Sequence, residues 1–152
     1  AIDWFGSAEL VTATVRSIRG AADDDSVLVL RHASGVMSYL SASAVAGAPG
    51  PRIRVLGSQG ALVINDLDPQ EALLRQGKFP ENGVWSEPTK SRAYIHRGDE
   101  VEEIESVSGN YALFYSHVGM AISGSGQWPI PNDDALQVAH IIDQAREINL
   151  NA

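Results

Sequence analysis

The sequence predicts an α+β fold, an open and predominantly antiparallel sheet of about six strands with two or three helices on one face. Three observations predict it. Apolar runs of strand length follow one another across short polar reversals, helical spacing is confined to a few segments of the second half, and no strand-helix-strand alternation of a parallel sheet occurs.

The first strand runs from Glu9 to Ile18, with Val11, Ala13 and Val15 on one side, and Gly20-Ala21-Ala22-Asp23-Asp24-Asp25 closes it as a polar loop. Ser26 to His32 is apolar on both parities, Val27 and Val29 against Leu28 and Leu30, which predicts a central strand covered on both faces. Ala33-Ser34-Gly35 turns the chain into Val36 to Ala44, where Met37, Tyr39 and Leu40 supply bulk, and Val45-Ala46-Gly47-Ala48-Pro49-Gly50 is a flexible exit. Pro51 to Ile64 then reads as a hairpin that continues the sheet. Ile53 and Val55 alternate with Arg52 and Arg54, and Gly57 and Gly60 can supply positive φ at the reversal.

Asp68 followed by Pro69 marks a helix start, because an aspartate accepts free N–H groups at an N-cap and proline costs nothing at the first helical position. That helix ends near Gly77. Residues 78 to 91 form a loop carrying Phe79, Pro80, Trp85 and Pro88, and Arg92 to His96 pairs with Val101 to Val107 across Arg97-Gly98-Asp99-Glu100. From Asn110 to Ile122 the residues Tyr111, Phe114, Tyr115, Val118 and Ile122 keep helical spacing. Asn132-Asp133-Asp134 caps a last helix, with Val138, Ile141, Ile142, Ala145 and Ile148 inward. So few helices cover one sheet face only, so the two-sided apolarity of Val27 to Leu30 predicts a homodimer through the open sheet face.

The 152 residues, 44% apolar and 20% charged, are expected to form a single domain, residues 1–152. A net charge of -8 with eleven scattered cations argues against a nucleic-acid surface. Cysteine is absent, which excludes disulfides and thiolate metal sites and fits a cytoplasmic location. No apolar run approaches the roughly 18 residues that span a bilayer, and no signal peptide is visible, so no membrane partner is expected.

Catalytic motifs are sparse. Gly124-Ser125-Gly126-Gln127-Trp128-Pro129 lacks the third glycine of a dinucleotide turn, follows a helix and runs into prolines, so it reads as an interhelical loop. His32, His96, His117 and His140 include no pair at i, i+4, so no metal site is read from them. Asp23, Asp24 and Asp25 lack the alternating ligands and central glycine of a calcium loop and read as a solvated turn. No Gly-x-Ser-x-Gly elbow exposes a nucleophilic serine.

Pro51-Arg52-Ile53-x-Val55-x-Gly57-x-x-Gly60, then Leu67-Asp68-Pro69-Gln70-Glu71-x-x-Leu74-x-x-Gly77-x-x-Pro80, resembles the C-terminal domain of the Gfo/Idh/MocA oxidoreductases. The opening Ile2-Asp3-Trp4-Phe5-Gly6 is similar to the end of the helix that follows the family's Asp-x-Gly-x-His motif, and Gly109-x-Tyr111-x-x-Phe114-Tyr115 resembles a later family helix. The resemblance spans nearly the whole chain. It implies a glyceraldehyde-3-phosphate-dehydrogenase-like C-terminal domain whose open sheet often serves as the oligomer interface. It also implies that the nucleotide-binding half, with the catalytic lysine and the Asp-x-Gly-x-His motif, precedes Ala1, so this chain is expected to carry no catalytic or cofactor-binding residue of its own. The parent would use NAD or NADP on a small-molecule substrate: a sugar, a polyol or a related hydroxyl compound.

The resemblance also places the segment before the Pro51 strand and the Phe114-Tyr115 helix toward the substrate cleft. The substrate-facing candidates are therefore Arg52, Tyr115, His117 and Trp85. Tyr115 combines an apolar ring with a hydroxyl donor and Arg52 can meet a carboxylate or phosphate bidentately. The structural alternatives are a core tyrosine on the Tyr111 and Val118 stripe and a solvated arginine at a sheet edge. For the whole chain the second reading is a free-standing acidic binding or scaffold module without redox activity.

Overall fold

A computed structural model describes residues 1–48, 50–66, 68–80, 92–105 and 109–150. The fold is α+β with antiparallel sheets and few helices, as the alternating runs predict. By internal contacts the chain divides into two compact units, Ala1–Gly47 with Ile130–Ala152, and Ala48–Pro129.

The first unit holds α1 (Ile2–Phe5), β1 (Ala8–Arg16), β2 (Asp25–His32), β3 (Met37–Ser43) and α4 (Asn132–Leu150). Its strands pair in the order β1-β2-β3, so β2 is central as its apolar run requires. A bulge between Leu10 and Thr12 admits Val11 as an extra residue, after which Ala13 pairs with Leu28 and Thr14 with Val27. Cross-strand partners share a face, so Leu10, Leu30 and Ser38 form one row, while Thr12, Val29 and Tyr39 form a row on the other. α4 packs along β1. Ala13, Leu30, Ile141 and Ala145 are buried here, the small alanines allowing helix and strand to approach closely.

The inward stripe of α4 is narrower than its sequence predicts. Ile141 and Ala145 are buried, but Val138, Ile142 and Ile148 are exposed. A helix resting along one strand covers a narrow seam. Ile142 lies one position off it, while Val138 and Ile148 keep its period but precede and follow the buried pair Ile141 and Ala145 along the helix. Asp133 and Asp134 occupy the first turn, where they face the positive end of the helix dipole.

The second unit holds β4 (Ile53–Gly57), β5 (Gly60–Ile64), α2 (Gln70–Arg75), β6 (Arg92–Arg97), β7 (Glu100–Glu105) and α3 (Tyr111–Ile122). Its strands form a separate ladder, β4-β5-β6-β7, so among the described residues the Pro51 hairpin opens a second sheet instead of extending the first. Ile53, Ile64, Ala93 and Ile104 align across all four strands as one apolar row. The β4–β5 reversal uses its glycines differently from the prediction. Gly57 has no positive φ, whereas Gly60 (φ 156°) lies so close to β6 that an added Cβ would stand 2.6 Å from the His96 carbonyl oxygen. The outer strand β7 carries Glu100, Glu102, Glu103 and Glu105, of which Glu102 pairs with Arg97 (2.8 Å) and Glu103 with Arg92 (3.3 Å).

Candidate functional site

The helix that bears two of the candidate residues is tied down at its first turn. Asp68 Oδ1 accepts the Gln70 N–H (2.9 Å), and the Leu73 N–H reaches the Pro69 carbonyl (3.2 Å), so Asp68 caps α2 with Pro69 as its first helical residue. The helix closes where predicted, the Gly77 and Lys78 N–H groups donating to Leu74 O (2.9 Å) and Leu73 O (3.0 Å). The residue after Pro69 is a buried glutamine. Gln70 is 0% exposed; its Nε2 donates to Asp68 Oδ2 (2.9 Å) and its Oε1 accepts the Tyr111 N–H (3.1 Å). Tyr111 opens α3, where Asn110 accepts the Leu113 N–H at 3.0 Å as the N-cap. The two quoted motifs, Asp68-Pro69-Gln70 and Gly109-x-Tyr111, thus meet in space.

Gly109 completes the junction. A Cβ there would fall 1.6 Å from Asp68 Oδ2 and 2.3 Å from Gln70 Nε2, so only glycine fits without displacing both partners.

Tyr115 is 70% exposed and its ring touches Phe114 edge-on at 5.5 Å between centroids. The core-tyrosine alternative therefore does not hold for this chain: α3 has no buried residue. His117 is half-buried on the same helix. Two residues along an α-helix correspond to about 200°, so Tyr115 and His117 point to opposite faces and cannot both grip one ligand from one side. Arg52 is exposed just before β4, without an ion-pair partner among the described residues. No hydrogen bond joins Arg52, Tyr115 and His117 among the described residues, and Trp85 lies outside them.

The Gly124-Ser125-Gly126 loop is occupied in ending α3. The Ser125 and Gly126 N–H groups both donate to Met120 O, at 2.9 and 3.1 Å, which leaves them turned away from any phosphate. This loop thus does not form a dinucleotide cradle.

The first unit contains a recess of about 500 Å³ lined by Glu9, Arg31, His32 and Gln137 among others. Arg31 pairs with Glu9 at 3.1 Å, and Gln137 Oε1 accepts the Ala8 N–H at 3.3 Å. Behind them His32 is buried between Gly6 O and Ser38 Oγ, each 2.8 Å from a ring nitrogen. Sequence spacing does not distinguish this histidine from the other three; its sign is its place at the end of an apolar central strand. No group of three or more His, Asp or Glu among the described residues is arranged to hold a metal ion. In the β1–β2 loop, Asp24 accepts the Ile18 and Arg19 N–H groups at 2.8 and 3.0 Å. The Ile18 N–H, with Arg19, holds its carboxyl below the usual aspartate range, and the Ser43 hydroxyl and Arg16 do the same for Asp25.

The sequence model of the Gfo/Idh/MocA oxidoreductase family, C-terminal alpha/beta domain, matches residues 1–148. The chain belongs to this family. Among curated Gfo/Idh/MocA relatives it is 28% identical over 149 residues to the scyllo-inositol 2-dehydrogenase (NADP(+)) IolW of Bacillus subtilis. It is 31% identical over 152 residues to the uncharacterized oxidoreductase YdgJ of Escherichia coli. Each match covers 94% of this chain and 42% of the relative, so the chain spans less than half the length of these two Gfo/Idh/MocA proteins. The solved structure of Bacillus subtilis YvaA superimposes with a TM-score of 0.79 at 26% identity, covering 99% of this chain and 45% of that one. The chain is thus an oxidoreductase C-terminal domain in fold and family. No helix among the described residues is long and apolar enough to cross a membrane.

Proposed function

We propose that this chain forms the substrate-side and subunit-association part of an NAD(P)-dependent dehydrogenase that acts on a sugar, polyol or related hydroxyl compound. The observation that carries the reading is the 28% identity, over 94% of the chain, to a scyllo-inositol 2-dehydrogenase (NADP(+)). Tyr115 supports it with an exposed phenol that can both donate to and accept from a substrate hydroxyl, and Arg52 with an exposed guanidinium that has no ion-pair partner among the described residues. On this reading NAD or NADP would be held by the nucleotide-binding half that the family resemblance implies.

A chimera in which residues 1–148 replace the matched region of the Bacillus subtilis enzyme tests the substrate class. Polyol- or sugar-dependent NADPH formation is expected; a chimera that binds NADP(+) and is inert to every sugar and polyol overturns the reading. A complementary titration of this chain alone with NADH and NADPH is expected to show no tight binding.

The association role rests on the outer face of the β1-β2-β3 sheet. Val27 and Tyr39 are 45% and 74% exposed there, beside Thr12, Thr14 and Val29, and the ion pairs Glu9–Arg31 and Arg16–Asp25 border the patch. Burying each large side chain contributes roughly 1.5–3 kcal/mol, while exposed ion pairs contribute about 0–1 kcal/mol, so the apolar centre would drive a two-fold dimer and the rim would set its register.

A further inference from the structure

We propose that His32 is a positioning residue, a latch in the Nδ1–H tautomer that fixes the end of α1 to the first sheet. Gly6 O can only accept, so the Nδ1 atom 2.8 Å away carries the proton. The Ser38 hydroxyl, itself buried, has this as its one side-chain hydrogen bond among the described residues, so it donates to Nε2 at 2.8 Å. The ring is thereby held at both nitrogens, and Phe5 of α1 closes against it edge-on with centroids 5.5 Å apart.

The neighbours of His32 in the β2–β3 turn take the adjoining carbonyls. Ser34 Oγ donates to Phe5 O (3.0 Å) and the Ala33 N–H to Ser7 O (2.9 Å), so three consecutive carbonyls, those of residues 5, 6 and 7, are taken by residues 32, 33 and 34. Gln137 of α4 receives the following N–H, that of Ala8. A helix of four residues cannot hold itself in water, because nucleation fixes several residues before the hydrogen bonds compensate. Its geometry therefore comes from this socket. On the dehydrogenase reading above, α1 is the last turn of the helix that follows the Asp-x-Gly-x-His motif, and the latch sets the direction in which that helix leaves the sheet.

The test needs neither cofactor nor substrate, so its failure is separable from failure of that reading. In ¹⁵N NMR of the chain the His32 ring is expected to show the Nδ1–H pattern. Amide exchange at Gly6, Ala8 and Ala33 is then compared in three variants. His32→Asn keeps a donor near the Nδ1 position and is expected to hold protection within about threefold, whereas His32→Gln, which reaches Ser38 instead, and His32→Leu are expected to lose about tenfold or more, the equivalent of one hydrogen bond. An Nε2–H or averaged ring, or equal loss in His32→Asn and His32→Leu, overturns the proposal.

Discussion

The side-chain oxygen of Gln70 accepts the backbone N–H of Tyr111 at 3.1 Å, joining positions 41 residues apart. The bond runs from the first residue of α2 to the first residue of α3, and the glutamine making it is wholly enclosed. A buried amide with both ends engaged defines geometry more sharply than an apolar contact, because every alternative position leaves a polar group unsatisfied.

Gln70→Leu removes that amide while leaving the Tyr111 N–H and Asp68 Oδ2 without it. A loss of about 2–4 kcal/mol is expected, read as a lower urea midpoint with unchanged m-value. Gln70→Glu keeps the acceptor but sets a second carboxylate against Asp68. Its deficit is expected to shrink as pH falls toward the carboxylate range, because protonation removes the like-charge repulsion; a pH-independent deficit would refute the assigned contact.

Gly109→Ala is expected to cost more than Gly77→Ala. At Gly77 (φ 75°) an added methyl group meets open space, so only the backbone conformation is strained, by about 1–2 kcal/mol. At Gly109 it collides with Asp68 and Gln70 together and takes the α2 cap with it. Thermal unfolding of the two variants orders them, and equal midpoints would show that the junction has room to yield.

The β1–β2 loop is expected to loosen in acid. Asp24 and Asp25 have carboxyls lowered by the Ile18 N–H and by the Ser43 hydroxyl respectively, so their contribution is fully present above about 3.9, the unfolded aspartate value, and is lost as pH falls through the lower folded values. Carboxyl ¹³C titration checks this together with exchange at the Ile18 and Arg19 amides. Asp24→Asn is expected to remove most of the acid dependence of those two amides.

Tyr39→Glu with Val27→Glu places two charges at the centre of the exposed sheet face. Wild-type chain is expected to sediment as a dimer at micromolar concentration and the double variant as a monomer with unchanged circular dichroism. A wild-type monomer at that concentration would remove the association role.

The strands were legible because their alternation and reversals are local. Every strand that the alternation implies is present, and Asp68-Pro69 and Gly77 delimit α2 as their cap chemistry requires. Covering of helix faces was less legible. Val138 obeys the period of α4 yet is exposed, and so are Tyr111, Phe114, Tyr115 and Ile122 of the α3 stripe, since period reports which residues share a face and not what lies opposite. Among the candidate residues, Tyr115 and His117 diverge by simple helical geometry that their spacing already contains. The roles of Gln70 and His32 were not legible, because each depends on a backbone group far along the chain, Tyr111 N and Gly6 O.

The glutamates along β7 have a bearing on how the protein behaves at high concentration. Among the described residues β7 is the outermost strand of its sheet, a place where a neighbouring molecule can add, and a row of like charges makes two such borders repel. Neutralising these glutamates is expected to weaken that repulsion and to favour edge-to-edge association at high concentration.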